Sequence, residues 1–235
     1  MHVPDGFLDL TTSVATGVVA AGAVGLALRR ARTELDDRTA PLAGLTAVFV
    51  FAGQMINFPV GAGTSGHLMG GALAALLVGP WTALLCLSVV LLVQALLFAD
   101  GGLTALGTNI TLMGVAAVAA AWGVTRLLQV LLPRRRSVLP AVAAVAGLVS
   151  VPAAALVFVG LFAVGGQAPV DLGTLVTVMT GWHLVIGIGE GVITALVVSS
   201  VLAVRPDLVH AARRYRRAED QQLQLRSGSS AEVGA

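Results

Sequence analysis

Gly66-His67-Leu68-Met69-Gly70-Gly71-Ala72-Leu73-Ala74-Ala75-Leu76-Leu77-Val78-Gly79-Pro80-Trp81 contains an apolar run, residues 68–79, which Pro80-Trp81 breaks. As helix, these 12 residues reach about 18 Å, short of the roughly 30 Å hydrocarbon core of a bilayer. If the run is a membrane span, His67 must begin it well below the membrane surface. Residues 60–66, Val-Gly-Ala-Gly-Thr-Ser-Gly, precede it as a flexible loop. Irregular backbone at membrane depth is tolerated only where it is buried in protein or lines a cavity. A recessed histidine in a glycine-rich loop therefore marks the place of a ligand cavity.

Longer apolar runs lie on both sides. They cover residues 8–28, 40–54, 81–98, 106–131, 138–164 and 172–204, and with 68–79 they make about seven spans. The second runs into the helix stop Asn57-Phe58-Pro59, and the first carries Gly17, Ala21 and Gly25 at a spacing suited to close helix contact. Hydrophobic residues make up 57% of the chain and charged residues 11%, with mean hydropathy +0.91, which excludes an ordinary soluble domain. The expected fold class is an all-α polytopic bundle: a transmembrane domain over 1–204, then an arginine-rich tail over 205–235. The tail reads as an interfacial helix to about residue 225 and a polar, disordered end. Cys86 stands alone in an apolar run, so neither a disulfide framework nor a thiolate metal cluster is available. Lysine is absent, which removes the phosphate-binding loop that needs one.

All 14 basic residues are arginine, and their placement sets an orientation. The connections 29–39 and 126–137 and the tail hold every one, while residues 1–7, 57–67, 99–105 and 165–171 hold none. Arginine marks cytoplasmic connections, so the N-terminus is expected outside and the C-terminus inside. Membrane topology thus explains the basic pI near 9.5 better than nucleic acid does.

The same orientation puts Met1, His2 and His67 on one face. Residues 1–7 carry no basic residue and no small-residue cleavage site follows, so no signal peptide is expected. His2 is bulky enough that Met1 should be retained. The Met1 α-amine, the His2 backbone nitrogen and the His2 imidazole Nδ1 can then close a five- and a six-membered chelate ring on one metal ion. Three in-plane nitrogens with a fourth position open suit Ni(II) or Cu(II), with Co(II) a neighbour in affinity.

Met1-His2-Val3-Pro4-Asp5-Gly6-Phe7-Leu8 resembles the N-terminus of the CbiM/NikM family, the substrate-binding membrane subunits of energy-coupling factor importers for cobalt and nickel. Four further blocks match in order: Ala52-Gly53-Gln54-Met55-Ile56-Asn57-Phe58-Pro59-Val60, Gly63-Thr64-Ser65-Gly66-His67-Leu68, Asp100-Gly101-Gly102-Leu103-Thr104-Ala105-Leu106-Gly107 and His183-Leu184-Val185-Ile186-Gly187-Ile188-Gly189-Glu190-Gly191. The resemblance implies Co2+ or Ni2+ as transported substrate, held by the Met1 amine, His2 and the His67 imidazole. It implies a multi-pass protein of a prokaryotic cell membrane. It also implies partners: a membrane coupling (T) subunit, two ATP-binding subunits that carry the ATP hydrolysis, and a small accessory membrane subunit.

The remaining polar residues have two readings each. Gln54, Asn57, Thr64, Ser65 and Asn109 can orient the ligating imidazoles through hydrogen bonds or satisfy loop backbone. Asp100 reads as a turn residue. His183 and Glu190 share a helix face and suit a structural or coupling role, because His183 lies about 17 Å along its helix from residue 172. An alternative function is an intramembrane serine protease: Gly63-Thr64-Ser65-Gly66 matches a nucleophile motif, and His183 would complete a Ser65/His183 dyad. That reading leaves Met1-His2 without a role.

The arginine distribution makes a prediction about topology. A reporter fused after Ala235 is expected in the cytoplasm, and a cysteine introduced in the 165–171 connection is expected to react with impermeant thiol reagents added outside. Labelling of that cysteine from the cytoplasm alone would overturn the arrangement.

Overall fold

The computed structural model describes residues 1–37, 39–61, 64–133 and 135–215. Helix α1 (Leu10–Arg30) starts where the Asp9 side chain accepts from the Thr12 amide, 2.7 Å away. Residue 8 is therefore outside the helix, pairing as an isolated bridge with Gly166. Helix α2 (Ala40–Met55) is followed by a small hairpin, β1 (Phe58–Gly61) and β2 (Thr64–Gly66), paired antiparallel. The stretch expected to be a flexible loop is thus an ordered ribbon at residues 60–61 and 64–66, and residues 62–63 lie outside the described ones.

Helix α3 (Gly71–Val78) is only eight residues long, and all eight are buried. It is shorter than the twelve-residue run expected, because residues 67–70 remain non-helical and Gly70, at φ +77°, starts the helix. Gly79 (φ +98°) turns the chain into α4 (Pro80–Leu97). Helix α5 (Leu106–Leu131) includes a π-helical stretch, Ile110–Ala116. Helices α6 (Leu139–Gly165) and α7 (Leu172–Val204) follow. Five segments are long and apolar enough to cross a membrane: Leu10–Thr33, Pro80–Leu97, Leu106–Leu131, Arg136–Gly165 and Leu172–Val204. Helix α2, at 16 residues, and α3 fall below that length.

Helices α6 and α7 form the closest pair, and glycine makes it possible. A Cβ at Gly147 would sit 2.8 Å from the Gly191 Cα, and one at Gly191 would sit 2.6 Å from the Ala144 carbonyl oxygen. Pro152 has no N–H to give the Leu148 carbonyl one turn earlier. Gly187 packs on that freed oxygen, where a Cβ would approach to 2.7 Å. The glycine stripe proposed for α1 behaves differently. That helix buries Thr12, Thr16, Ala20 and Ala27, while Ala21 and Gly25 face outward. Of the stripe, only Gly17 meets another helix, at Gly107.

At the arginine-bearing end, the buried Glu34 carboxylate accepts from the Trp81 amide (3.2 Å) and from the amide and hydroxyl of Thr82 (2.7 and 2.9 Å). It thereby closes the start of α4. Arg213 donates to the Glu34 carbonyl (2.8 Å). Val209, Ala211, Ala212 and Tyr215 are buried in a core with Leu139 and Val198. Residues 205–215, expected to begin an interfacial helix, instead pack into the bundle as a turn and a 3-10 helix, His210–Ala212, because their apolar side chains find a core to bury in. The rest of that expected helix and the disordered end fall outside the described residues.

The α6–α7 contact is testable. Gly147→Ala forces a methyl against backbone and is expected to destabilise the protein by about 1–3 kcal/mol, read as a lower thermal unfolding temperature in detergent. Gly181→Ala, where a Cβ meets nothing within 4 Å, is expected to change stability by no more than about 0.5 kcal/mol.

Candidate metal centre

The first eight residues thread into the bundle as irregular chain. Met1, His2, Val3, Phe7 and Leu8 are all buried. Backbone bonds fix the far end of the segment: Asp9 N–H donates to the Gly165 carbonyl (2.7 Å) and Gln167 N–H to the Phe7 carbonyl (3.0 Å). The Phe7 ring packs on Phe158 and Phe162 of α6, with centroids 5.7 and 5.4 Å away. Asn109 fixes the near end. Its Oδ1 accepts from Val3 N–H (2.8 Å) and its Nδ2 donates to the Val3 carbonyl (3.1 Å). Gly102 N–H adds a second bond to that carbonyl (3.0 Å). Asp5 holds the same loop by accepting from Thr104 N–H (2.8 Å).

This anchoring brings the predicted ligands together. The Met1 amine contacts the Nε2 of His67, and the His2 and His67 rings stack with centroids 4.5 Å apart and planes at 26°. The His67 Nδ1 donates to the Leu68 carbonyl (2.8 Å). That bond fixes the tautomer and leaves Nε2 with its lone pair facing the amine. The His2 Nε2 lies 3.2 Å from the Gln94 Oε1. Its Nδ1 lies 3.1 Å from the Asp100 Oδ1, but off the axis of a hydrogen bond, and has no other partner among the described residues. A buried imidazole nitrogen left over in this way suits a metal ion.

Burial controls the charges. It pushes the Met1 amine down to about 4, against the opposing pull of Asp100. It also lowers His67 well below the usual imidazole range, helped by the nearby amine, His2 and His183. Asp100 is held below the usual carboxylate range chiefly by its polar contact with His2. At neutral pH the Met1 amine and the His67 imidazole are therefore uncharged and carry lone pairs. Among the described residues no group of three His, Cys, Asp or Glu side chains could hold a metal ion, and the further nitrogen that lies against His67 is the Met1 amine.

The other candidates separate into distinct roles. Gln54 donates to the Met69 carbonyl (2.8 Å), and Asn57 reaches the Asp100 Oδ2 only at 3.5 Å. Thr64 pairs through its backbone with Gly61. Ser65 lines an open cleft of about 480 Å3 together with His2, Asn57 and Asp100. Glu190 accepts from the amides of Met69 (2.7 Å) and Gly70 (3.0 Å), clamping the segment after His67 to α7. His183 donates through Nδ1 to the Met179 carbonyl (2.8 Å), and its buried Nε2 has no partner among the described residues. Ser65 and His183 are thus not hydrogen-bonded to each other, and no nucleophile–base pair forms. Gln94 carried no weight in the sequence, and Asp100 was expected only to turn the chain. A glutamine in an otherwise apolar span was the available signal for the first.

Residues 2–208 match the family model CbiM, "Cobalt uptake substrate-specific transmembrane region". The chain belongs to the CbiM family. It is 34% identical over 217 residues to a cobalt transport protein CbiM of Sorangium cellulosum, covering 89% of this chain and 94% of that one. It is 35% identical over 245 residues to the fused nickel transport protein NikMN of Rhodobacter capsulatus, covering 99% of this chain and 70% of that one. The fold is similar to the crystal structure of a truncated transition metal transporter, with TM-score 0.80, 32% identity and coverage of 86% of this chain and 99% of that one. Membership of CbiM makes this chain a multi-pass membrane protein of metal transport.

The new contact to Gln94 can be tested. Gln94→Leu frees the His2 ring and is expected to weaken Co2+ or Ni2+ binding about 10–100-fold. Isothermal titration of purified protein measures this, and unchanged affinity would show that Gln94 does not orient His2.

Proposed function

We propose that this chain is the substrate-capture subunit of an ATP-driven energy-coupling factor importer for Co2+ or Ni2+. The observation that carries the reading is the convergence of the Met1 amine, the His2 imidazole and the His67 Nε2 in one buried place. The His2 backbone nitrogen lies between the first two in the chain and completes a four-nitrogen plane. In this reading seven segments cross or enter the membrane, with the metal centre on the outer face and the arginine-rich tail in the cytoplasm.

The subunit itself hydrolyses nothing. Two ATP-binding subunits act through a membrane coupling subunit, and a small accessory membrane subunit completes the assembly. The fused nickel transport relative supports a membrane partner of this kind. The Met1 amine and the His67 Nε2 offer lone pairs, and the His2 backbone N–H gives up its proton to solvent as the divalent ion binds. Gln54, Glu190 and Asn109 keep His67 and residue 3 in place while the ion is held. A four-nitrogen plane favours Ni(II), and Co(II) follows it in the affinity order.

Amine and imidazole with ordinary proton affinities would make binding fall between pH 8 and 6. Burial changes that expectation. The amine in the folded protein is protonated only near pH 4, so the amide proton released on binding sets the slope. Metal affinity is expected to fall about tenfold per pH unit from pH 8 to about 5, and more steeply toward pH 4 as the amine also takes up a proton. The unfolded chain takes up this proton near pH 8. The apo protein is therefore expected to lose stability continuously as pH falls from about 8 to 4.

The decisive experiment compares N-tagged, C-tagged and His2→Ala proteins in metal titrations. A residue added before Met1 converts the amine to an amide, so the N-tagged form is expected to bind as poorly as His2→Ala, while the C-tagged form binds normally. Full affinity in the N-tagged form would remove Met1 from the ligand set.

A further inference from the structure

On the arginine-bearing half of the bundle, away from the metal centre, a groove of about 520 Å3 opens between α1, α4 and α5. Its walls are apolar, including Ala23, Leu26, Leu84, Val115 and Val118, and Trp81 and Trp122 line it as well. Tryptophan is enriched where hydrocarbon meets headgroups, which suits a groove open to the membrane at this level. Two turns of a partner helix, about 10 Å across, occupy roughly 800 Å3, more than the groove holds. An acyl chain is slender enough to enter.

Charge at the mouth identifies the headgroup. Arg30 lies four residues beyond Leu26 and seven beyond Ala23, so it continues the α1 face that lines the groove. Arg126 lies four residues beyond Trp122 and seven beyond Ala119, continuing the lining face of α5. The two helices run in the same direction, so both arginines fall at the same end. Both are exposed, and among the described residues neither forms an ion pair with a carboxylate. Of the acids at this end, Glu34 accepts from the amides of Trp81 and Thr82, Asp36 accepts from the Thr39 amide, and Asp207 pairs with Arg205.

We propose that this groove binds one acyl chain of an anionic phospholipid, whose phosphate is held between Arg30 and Arg126. Such a lipid ties α1, α4 and α5 together beside the Glu34 contact that closes α4. Basic pockets between transmembrane helices recognise anionic headgroups in this way.

The test measures lipid retained by the purified full chain, using native mass spectrometry after exchange into nanodiscs containing equal phosphatidylglycerol and phosphatidylcholine. The wild-type protein is expected to retain phosphatidylglycerol about thirtyfold over phosphatidylcholine, roughly fivefold per arginine. The double variant Arg30→Gln/Arg126→Gln is expected to bring that ratio close to one. Ala119→Phe, which fills the groove, is expected to remove both lipids, with thermal unfolding unchanged as proof of folding. Equal retention of the two lipids by the wild-type protein, or an unchanged ratio in the double variant, would overturn the proposal. So would a photo-crosslinker at position 119 that joins to a protein instead of a lipid in membranes holding the complete transporter.

Discussion

The Met1 amine is buried against an imidazole, and a charged ammonium cannot be kept in such a place without a partner. Burial answers this by stripping its proton, with the amine titrating near 4 in the folded state. A neutral amine is a Lewis base, and the contacts around it keep it there. Asn109 grips residue 3 through both its amide atoms, Asp5 ties the following residues to the 102–106 loop, and Phe7 closes the entry against α6. Each contact orders a segment that would otherwise fray, as chain termini do.

The opposite wall of the centre depends on a second constraint. His67 sits in non-helical chain at the head of a helix buried on every side, where backbone amides have no water to satisfy them. Glu190 meets that need by accepting from two successive amides, and Gln54 donates to the Met69 carbonyl between them. An intramembrane carboxylate here is a clamp for irregular backbone. Its position depends in turn on α7 lying close to α6, which the glycines at 147, 187 and 191 permit.

The two ends of the short helix α3 are thus held by different acids, Glu190 at Gly70 and Glu34 beside Gly79. The helix is rigid, apolar and enclosed. It links the metal centre to the arginine-bearing end, where the tail also docks through Arg213 and Tyr215. A shift at one end cannot be absorbed by side chains facing lipid, because α3 has none.

Composition and apolar run lengths determined the class of this protein, because a bilayer demands long apolar segments and tolerates few charges. Arginine placement set an expected orientation, the chemistry of a histidine at position 2 pointed to Met1 and His2 as candidate ligands, and the family resemblance added His67. The length of the 68–79 run raised the expectation of a recessed His67, although the helix itself covers only Gly71–Val78. Tertiary structure alone decided how these groups meet. Partners for Gln94, Asp100 and Asn109 lie 92, 98 and 106 residues away in the chain, beyond any local pattern. Whether Ala21 and Gly25 pack or face outward was equally hidden, because small residues suit a helix contact and a lipid face alike. The proton on the Met1 amine is the plainest case. Sequence supplies the group, but only the surrounding bundle removes the water that would keep it charged.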